Sequence, residues 1–146
     1  GARRMARPAG RFSGRRRDYS KSACPQYKII TGTDIVVDGF LYARPKLASV
    51  YFLTHFHSDH YGGITKSWNA GLIYASGPTA ALTVQQLGVD KKYLKTIDVG
   101  DPPLVLASKG RPVAVTALHA NHCPGAVMFL FEVGDTHPKT VLHVGD

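Results

Sequence analysis

Thr54-His55-Phe56-His57-Ser58-Asp59-His60 places three imidazoles and a carboxylate side by side, directly behind the apolar run S-V-Y-F-L-T of residues 49–54. Imidazole nitrogen and carboxylate oxygen are the donors that suit zinc, which takes about four ligands and in catalytic sites leaves one place for water. Alternate side chains of an extended strand share a side, so His55 and His57 can aim at one position. The turn that follows can aim Asp59 and His60 at a second. Gly62-Gly63 then lets the backbone leave tightly. A lone histidine after a strand is more often structural than a ligand. A motif this dense seldom arises by chance, and it predicts a metal site.

Two later segments supply what a two-ion site still needs. His122, in the stretch A-N-H-C-P-G-A of residues 120–126, stands between two strand-like runs, and Asp146 closes the short apolar run ending His143-Val144-Gly145-Asp146. They offer one more imidazole and a carboxylate able to bridge. Cys123 could be a soft ligand, but beside Pro124 it reads better as a small buried hydrophobe. His119 and His143 read as supporting or core residues, and His137, in a polar turn, as surface. Trp68 and the tyrosines could stack on bases, although scattered aromatics usually fill a core.

Around this centre the pattern predicts short strands. Lys28-Ile29-Ile30 and residues 34–38, separated by Thr-Gly-Thr, suggest a hairpin. Strands follow at residues 49–54, 72–75, 93–99, 113–118, 126–133 and 140–144. Residues 78–87 (P-T-A-A-L-T-V-Q-Q-L) read as a helix, with proline near its start and Gly88 placed to end it. Many strands with few helices imply a largely mixed or antiparallel sheet with helices on one face. No internal repeat is visible.

The chain has 146 residues, enough for one domain with a real core. No apolar run approaches the roughly 20 residues of a membrane helix, so no membrane partner is expected. The net charge of +8 is concentrated at the start: seven arginines precede the first acid, Asp18, leaving eleven basic residues against ten acidic ones elsewhere. Residues 1–22, rich in Arg, Gly, Ser and Pro, read as a disordered tail. Arg15, Arg16 and Arg17 are its candidate nucleic-acid contacts. Such an arm can also serve as a nuclear-import signal or, alternatively, an organelle transit peptide. Two cysteines, Cys24 and Cys123, offer no disulfide framework and suggest a reducing compartment.

His55, His57, Asp59, His60, His122 and Asp146 match, in order, the first metal-ligand motifs of the metallo-β-lactamase superfamily. T-H-F-H-S-D-H-Y-G-G together with A-N-H-C-P-G-A-V-M-F-L-F closely resembles the DNA cross-link repair nucleases of its β-CASP branch. Cys24-Pro25-Gln26-Tyr27-Lys28 and Val37-Asp38-Gly39-Phe40 resemble the start of that domain. Thr31, Gly39 and His119 depart from the family's usual residues, and none of them is at a ligand position. The resemblance implies an α/β (α+β) metallo-β-lactamase αββα sandwich, with residues 23–146 forming its N-terminal portion, cut before the β-CASP insertion and the last metal-ligand histidine.

Carried over residue by residue, the resemblance implies one zinc on His55, His57 and His122, and a second, if occupied, on Asp59 and His60. Asp146 would bridge them. Asp59 and Asp146 would be catalytic, with Asp38 and His143 behind the ligands, Asp38 orienting the histidine loop. One or two Zn²⁺ ions would activate water for hydrolysis of phosphodiesters. The implied function is 5′-to-3′ exonuclease action on single-stranded or damaged DNA ends in interstrand cross-link repair, in the nucleus. Protein partners are not indicated. Two alternatives stand beside this reading: an RNA-processing or thioester-hydrolysing enzyme of the same fold, or a truncated, non-catalytic fragment. A piece ending at Asp146 would be inactive alone, lacking much of the second sheet layer and exposing an apolar face.

Overall fold

The computed structural model describes Tyr19, residues 22–44 and residues 46–146. The expected disordered tail therefore lies, but for Tyr19 and Ser22, outside the described residues, as do Arg15, Arg16 and Arg17.

Two four-stranded sheets form the body. The first runs in the order β1 (Ile35–Val37), β2 (Val50–Phe52), β3 (Leu72–Ala75), β4 (Leu94–Thr96) and is parallel throughout. The second runs in the order β5 (Leu104–Ser108), β6 (Arg111–His119), β7 (Val127–Val133), β8 (Lys139–His143) and is antiparallel throughout. The expectation of one largely mixed or antiparallel sheet is corrected in this respect, and the reason lies in the residues. I-V-V, V-Y-F and L-I-Y-A are continuous apolar runs without alternation, as strands covered on both faces require. The connections between them are long enough for parallel crossovers. In β6 and β7, by contrast, buried and half-exposed positions alternate, the mark of a sheet with one covered face.

The sheets pack on each other through Val37, Phe52 and Tyr74 on one side and Val113, Val115, Phe129 and Phe131 on the other. Phe52 is the keystone, with ring centroids 5.2 Å from Tyr74, 5.0 Å from Phe129 and 5.2 Å from Phe131. The outer face of the parallel sheet buries Val36, Tyr51, Leu53 and Ile73 against Phe40, Trp68 and Ala80. Trp68 is thus a core residue. Ala80 belongs to helix α2 (Gly77–Leu87), whose Ser76 N-cap accepts from the Thr79 amide and whose end is turned by Gly88 in the left-handed conformation. A four-residue helix, α1 (Ser58–Tyr61), follows β2.

Several boundaries differ from expectation. The first hairpin shrinks to a single antiparallel bridge, Ile29 to Val36, because Gln26–Lys28 is drawn into a 3₁₀ turn behind Pro25. The strand expected at residues 93–99 starts with another such turn, Lys91–Tyr93, and is hydrogen-bonded only over Leu94–Thr96. β5 was not anticipated; its hairpin to β6 turns at Lys109 and Gly110, both with positive φ. The second sheet has four strands. Its outer face carries the exposed Val105 and Leu142, with no helix over it among the described residues. No helix is long and apolar enough to cross a membrane among the described residues.

Candidate metal centre

Ligands of parallel sheets gather beyond the carboxyl ends of the strands, and the predicted cluster forms there. β1 ends at Val37 and β2 at Phe52, and the Asp38 amide donates to the Phe52 carbonyl at 2.9 Å. Asp38 therefore stands beside Thr54 and His55. Its φ of +51° is unusual for a residue with a side chain and marks a position that its surroundings hold in place.

Asp38 is buried and almost fully engaged. Oδ1 accepts from the Thr54 amide at 2.9 Å, and Oδ2 from the Thr54 hydroxyl at 2.7 Å and from His60 Nδ1 at 2.8 Å. Burial alone would raise its pKa, but the bonds from His60 and Thr54 outweigh that and hold the carboxyl below its ordinary range. A hydroxyl has one proton, and Thr54 gives it to Asp38. Its oxygen must then accept from His55 Nδ1, 2.9 Å away. Both tautomers follow. His55 and His60 each carry the proton on Nδ1 and turn the lone pair of Nε2 inward.

Those lone pairs meet the other candidates. His55 Nε2 lies 3.0 Å from His57 Nδ1, and His122 Nε2 lies 3.2 Å from the same atom. One proton on His57 can satisfy only one of these two facing nitrogens. Nitrogens bound to one tetrahedral ion at about 2.0–2.1 Å sit about 3.3 Å apart, close to the spacing seen. Asp146 faces the trio with Oδ2, 3.9 Å from His55 Nε2 and from His122 Nε2. Its other oxygen, Oδ1, is 3.2 Å from His60 Nε2, which is 3.6 Å from Asp59. Two groups able to hold an ion result, His55-His57-His122-Asp146 and Asp59-His60-Asp146, with Asp146 common to both. The donor set fits a metal ion.

The two rings differ electrostatically. Desolvation and the neighbouring His60 lower the pKa of His55, favouring the neutral form a ligand needs. The hydrogen bond to Asp38 raises that of His60, and Asp146 and Asp59 add to it, so an ion there would compete with a proton.

Three local features hold the parts in register. Gly63, at φ +102°, passes so close to Phe40 and Leu41 that an added Cβ would lie 2.4 Å from their backbone. The His122 loop starts from Asn121 in the left-handed conformation, which asparagine tolerates. It ends at Gly125, whose carbonyl accepts from the hydroxyls of Ser76 (2.5 Å) and Thr79 (3.0 Å). The Val127 amide then donates to the Thr54 carbonyl at 3.0 Å, joining the two ligand segments.

All six predicted ligands thus converge, with Asp38 behind them. His143 lines the same cavity as Asp38 and His60, and its buried Nδ1 has no hydrogen-bond partner among the described residues. Cys123 is half-buried and belongs to neither donor group. His119 and His137 are exposed. Sequence reasoning missed Thr54, Ser76 and Thr79. A hydroxyl residue just ahead of the histidine motif was the available signal for the first; nothing local announced the other two.

No protein-family model matches the chain. Among known proteins it is similar to the DNA cross-link repair protein pso2/snm1 of Schizosaccharomyces pombe, 39% identical over 128 residues that cover 86% of this chain and 22% of that protein. It is similar also to the 5′ exonuclease Apollo of Gallus gallus, 42% identical over 118 residues, covering 81% of this chain and 24% of that one. A solved structure, the Rm3 metallo-beta-lactamase, matches 68% of this chain and 40% of its own with a TM-score of 0.46 and 17% identity, too slight a likeness to carry an argument. The chain spans about a quarter or less of the length of the curated relatives it matches. Along most of its own length, then, the chain is a homologue of the DNA cross-link repair proteins.

Proposed function

We propose that the protein is a metal-dependent phosphodiester hydrolase acting on DNA, a 5′-to-3′ exonuclease of cross-link repair working in the nucleus with zinc as its metal. The observation that carries this reading is the placement of Asp146, with one oxygen toward His60 and the other toward His55 and His122. A carboxylate shared between two donor groups suits a pair of ions acting on one phosphate. The names of the relatives, a DNA cross-link repair protein and a 5′ exonuclease, support the substrate and direction.

His55, His57 and His122 would hold one ion, Asp59 and His60 a second, and Asp146 both. When bound, such ions lower the pKa of water from about 15.7 toward 7 and neutralise charge developing on phosphoryl oxygens. The chain's own contribution is positional. Asp38 and Thr54 fix the tautomers of His55 and His60, so that both rings present lone pairs without reorganising. Ser76 and Thr79 anchor the loop that brings His122 to the site.

The test is Asp59→Ala in the full-length protein. Hydrolysis of a 5′-phosphorylated oligodeoxynucleotide should be abolished while affinity for that DNA stays nearly intact. Unchanged turnover in the variant would overturn the assignment.

A further inference from the structure

Asp59, His60 and Asp146 also line a cavity of about 540 Å³, within the roughly 300–1,000 Å³ typical of small-molecule clefts. Tyr27, Leu41, Leu142 and Val144 line it with them. Among the described residues six large hydrophobic side chains are exposed, and these four are among them. Four of the six exposed large hydrophobic side chains among the described residues thus line one concave site beside the donor cluster, a setting that suits a ligand.

The chemistry of the walls narrows that ligand. Tyr27 is 73% exposed, so its ring is free to be covered. Lys28 is the one lysine or arginine lining the cavity among the described residues. Its Nζ donates to the Asp38 carbonyl at 2.7 Å and lies 5.6 Å from the Tyr27 ring. An ammonium has three protons, so donors remain for a second acceptor. An aromatic face, aliphatic walls, one cation and an adjoining metal-ligand cluster together match a nucleotide: a flat base, a sugar and a phosphate.

Building on the nuclease reading, we propose that this cavity is a nucleoside subsite. The base next to the phosphate under attack stacks on Tyr27, its sugar lies against Leu41 and Val144, and Lys28 contacts a neighbouring phosphate. Stacking of this kind is tolerant of sequence, because every base offers a π-face.

The test compares full-length wild type, Tyr27→Ala and Tyr27→Phe for equilibrium binding of a 5′-phosphorylated single-stranded oligodeoxynucleotide, held in chelator to prevent turnover. A second oligonucleotide lacks the base next to the terminal phosphate. Tyr27→Ala should weaken binding of the intact strand roughly tenfold, as loss of one base–aromatic stack implies. Tyr27→Phe should bind as wild type does, and the abasic strand should bind all three alike. An oligonucleotide carrying 5-iododeoxyuridine at that position should photocrosslink to Tyr27. Equal binding of the intact strand by wild type and Tyr27→Ala would overturn the proposal. So would an equal loss on both strands, which would mean that Tyr27 packs against another part of the protein, or binding by wild type that ignores the base. Hydrolysis of bis(p-nitrophenyl) phosphate by the metal-loaded wild type separates the two readings. Without it the nuclease reading falls; with it, and with Tyr27 silent, only the subsite falls.

Discussion

Oδ2 of Asp38 lies 2.8 Å from Nδ1 of His60, and this one bond decides which nitrogen of His60 faces Asp59 and Asp146. A buried carboxylate behind a ligand histidine sets both its tautomer and its basicity. Asp38→Asn should keep the shape of the site but lose the fixed tautomer. We expect affinity for an ion at Asp59 and His60 to fall by about 10- to 100-fold, read by calorimetric titration of the metal-free protein.

The hydroxyl of Thr54 sits between Asp38 and His55, donating to the first and accepting from the second. Thr54→Val is nearly isosteric but leaves the buried His55 Nδ1 without its partner and removes one of the two hydrogen bonds to Asp38 Oδ2. It should cost about 1–3 kcal/mol of stability, measured by urea unfolding, and should weaken metal binding as well. Thr54→Ser keeps the hydroxyl and should recover most of both. Equal losses in the two variants would mean that the methyl, not the hydroxyl, matters.

The His122 loop depends on Gly125. At φ +82° a Cβ there would lie 2.9 Å from the Pro78 Cβ and 3.0 Å from the Thr79 hydroxyl. Gly125→Ala therefore meets both backbone strain and a packed helix start, and should destabilise by more than about 1 kcal/mol. Any loss of metal affinity should fall on the group that includes His122 more than on Asp59 and His60, as metal titration would resolve.

Phe52 separates fold from site. It is fully buried between the sheets, and Phe52→Ala should cost about 3–5 kcal/mol, seen as a lower denaturant midpoint. At denaturant concentrations where the variant is still folded, its metal stoichiometry should match wild type.

How much of this was legible in the residues depended on how local each signal was. Four of the six candidate ligands were legible because His55, His57, Asp59 and His60 sit within six residues, in the bend and short helix behind β2, and the motif carries its own chemistry; His122 and Asp146 followed from what a two-ion site still needs. Helix α2 was legible from Pro78 and Gly88. The parallel character of the first sheet was not, since I-V-V and V-Y-F do not state which strand lies beside them. β5 was hidden because L-V-L-A-S has no clean alternation and ends in a turn without a strong hairpin dipeptide. The anchoring of Gly125 by Ser76 and Thr79 joins residues more than 45 positions apart, which no window of sequence can reveal. Tyr27 was read only as one aromatic among several, because exposure is a tertiary property.

We propose that six side chains hold two ions through a shared Asp146. Metal content after dialysis, measured by inductively coupled plasma mass spectrometry, should separate wild type from His57→Ala, Asp59→Ala and Asp146→Asn. Two ions are expected in wild type, one in each of His57→Ala and Asp59→Ala, and weakened retention of both in Asp146→Asn. Wild type that retains no ion, or variants whose content equals that of wild type, would contradict it.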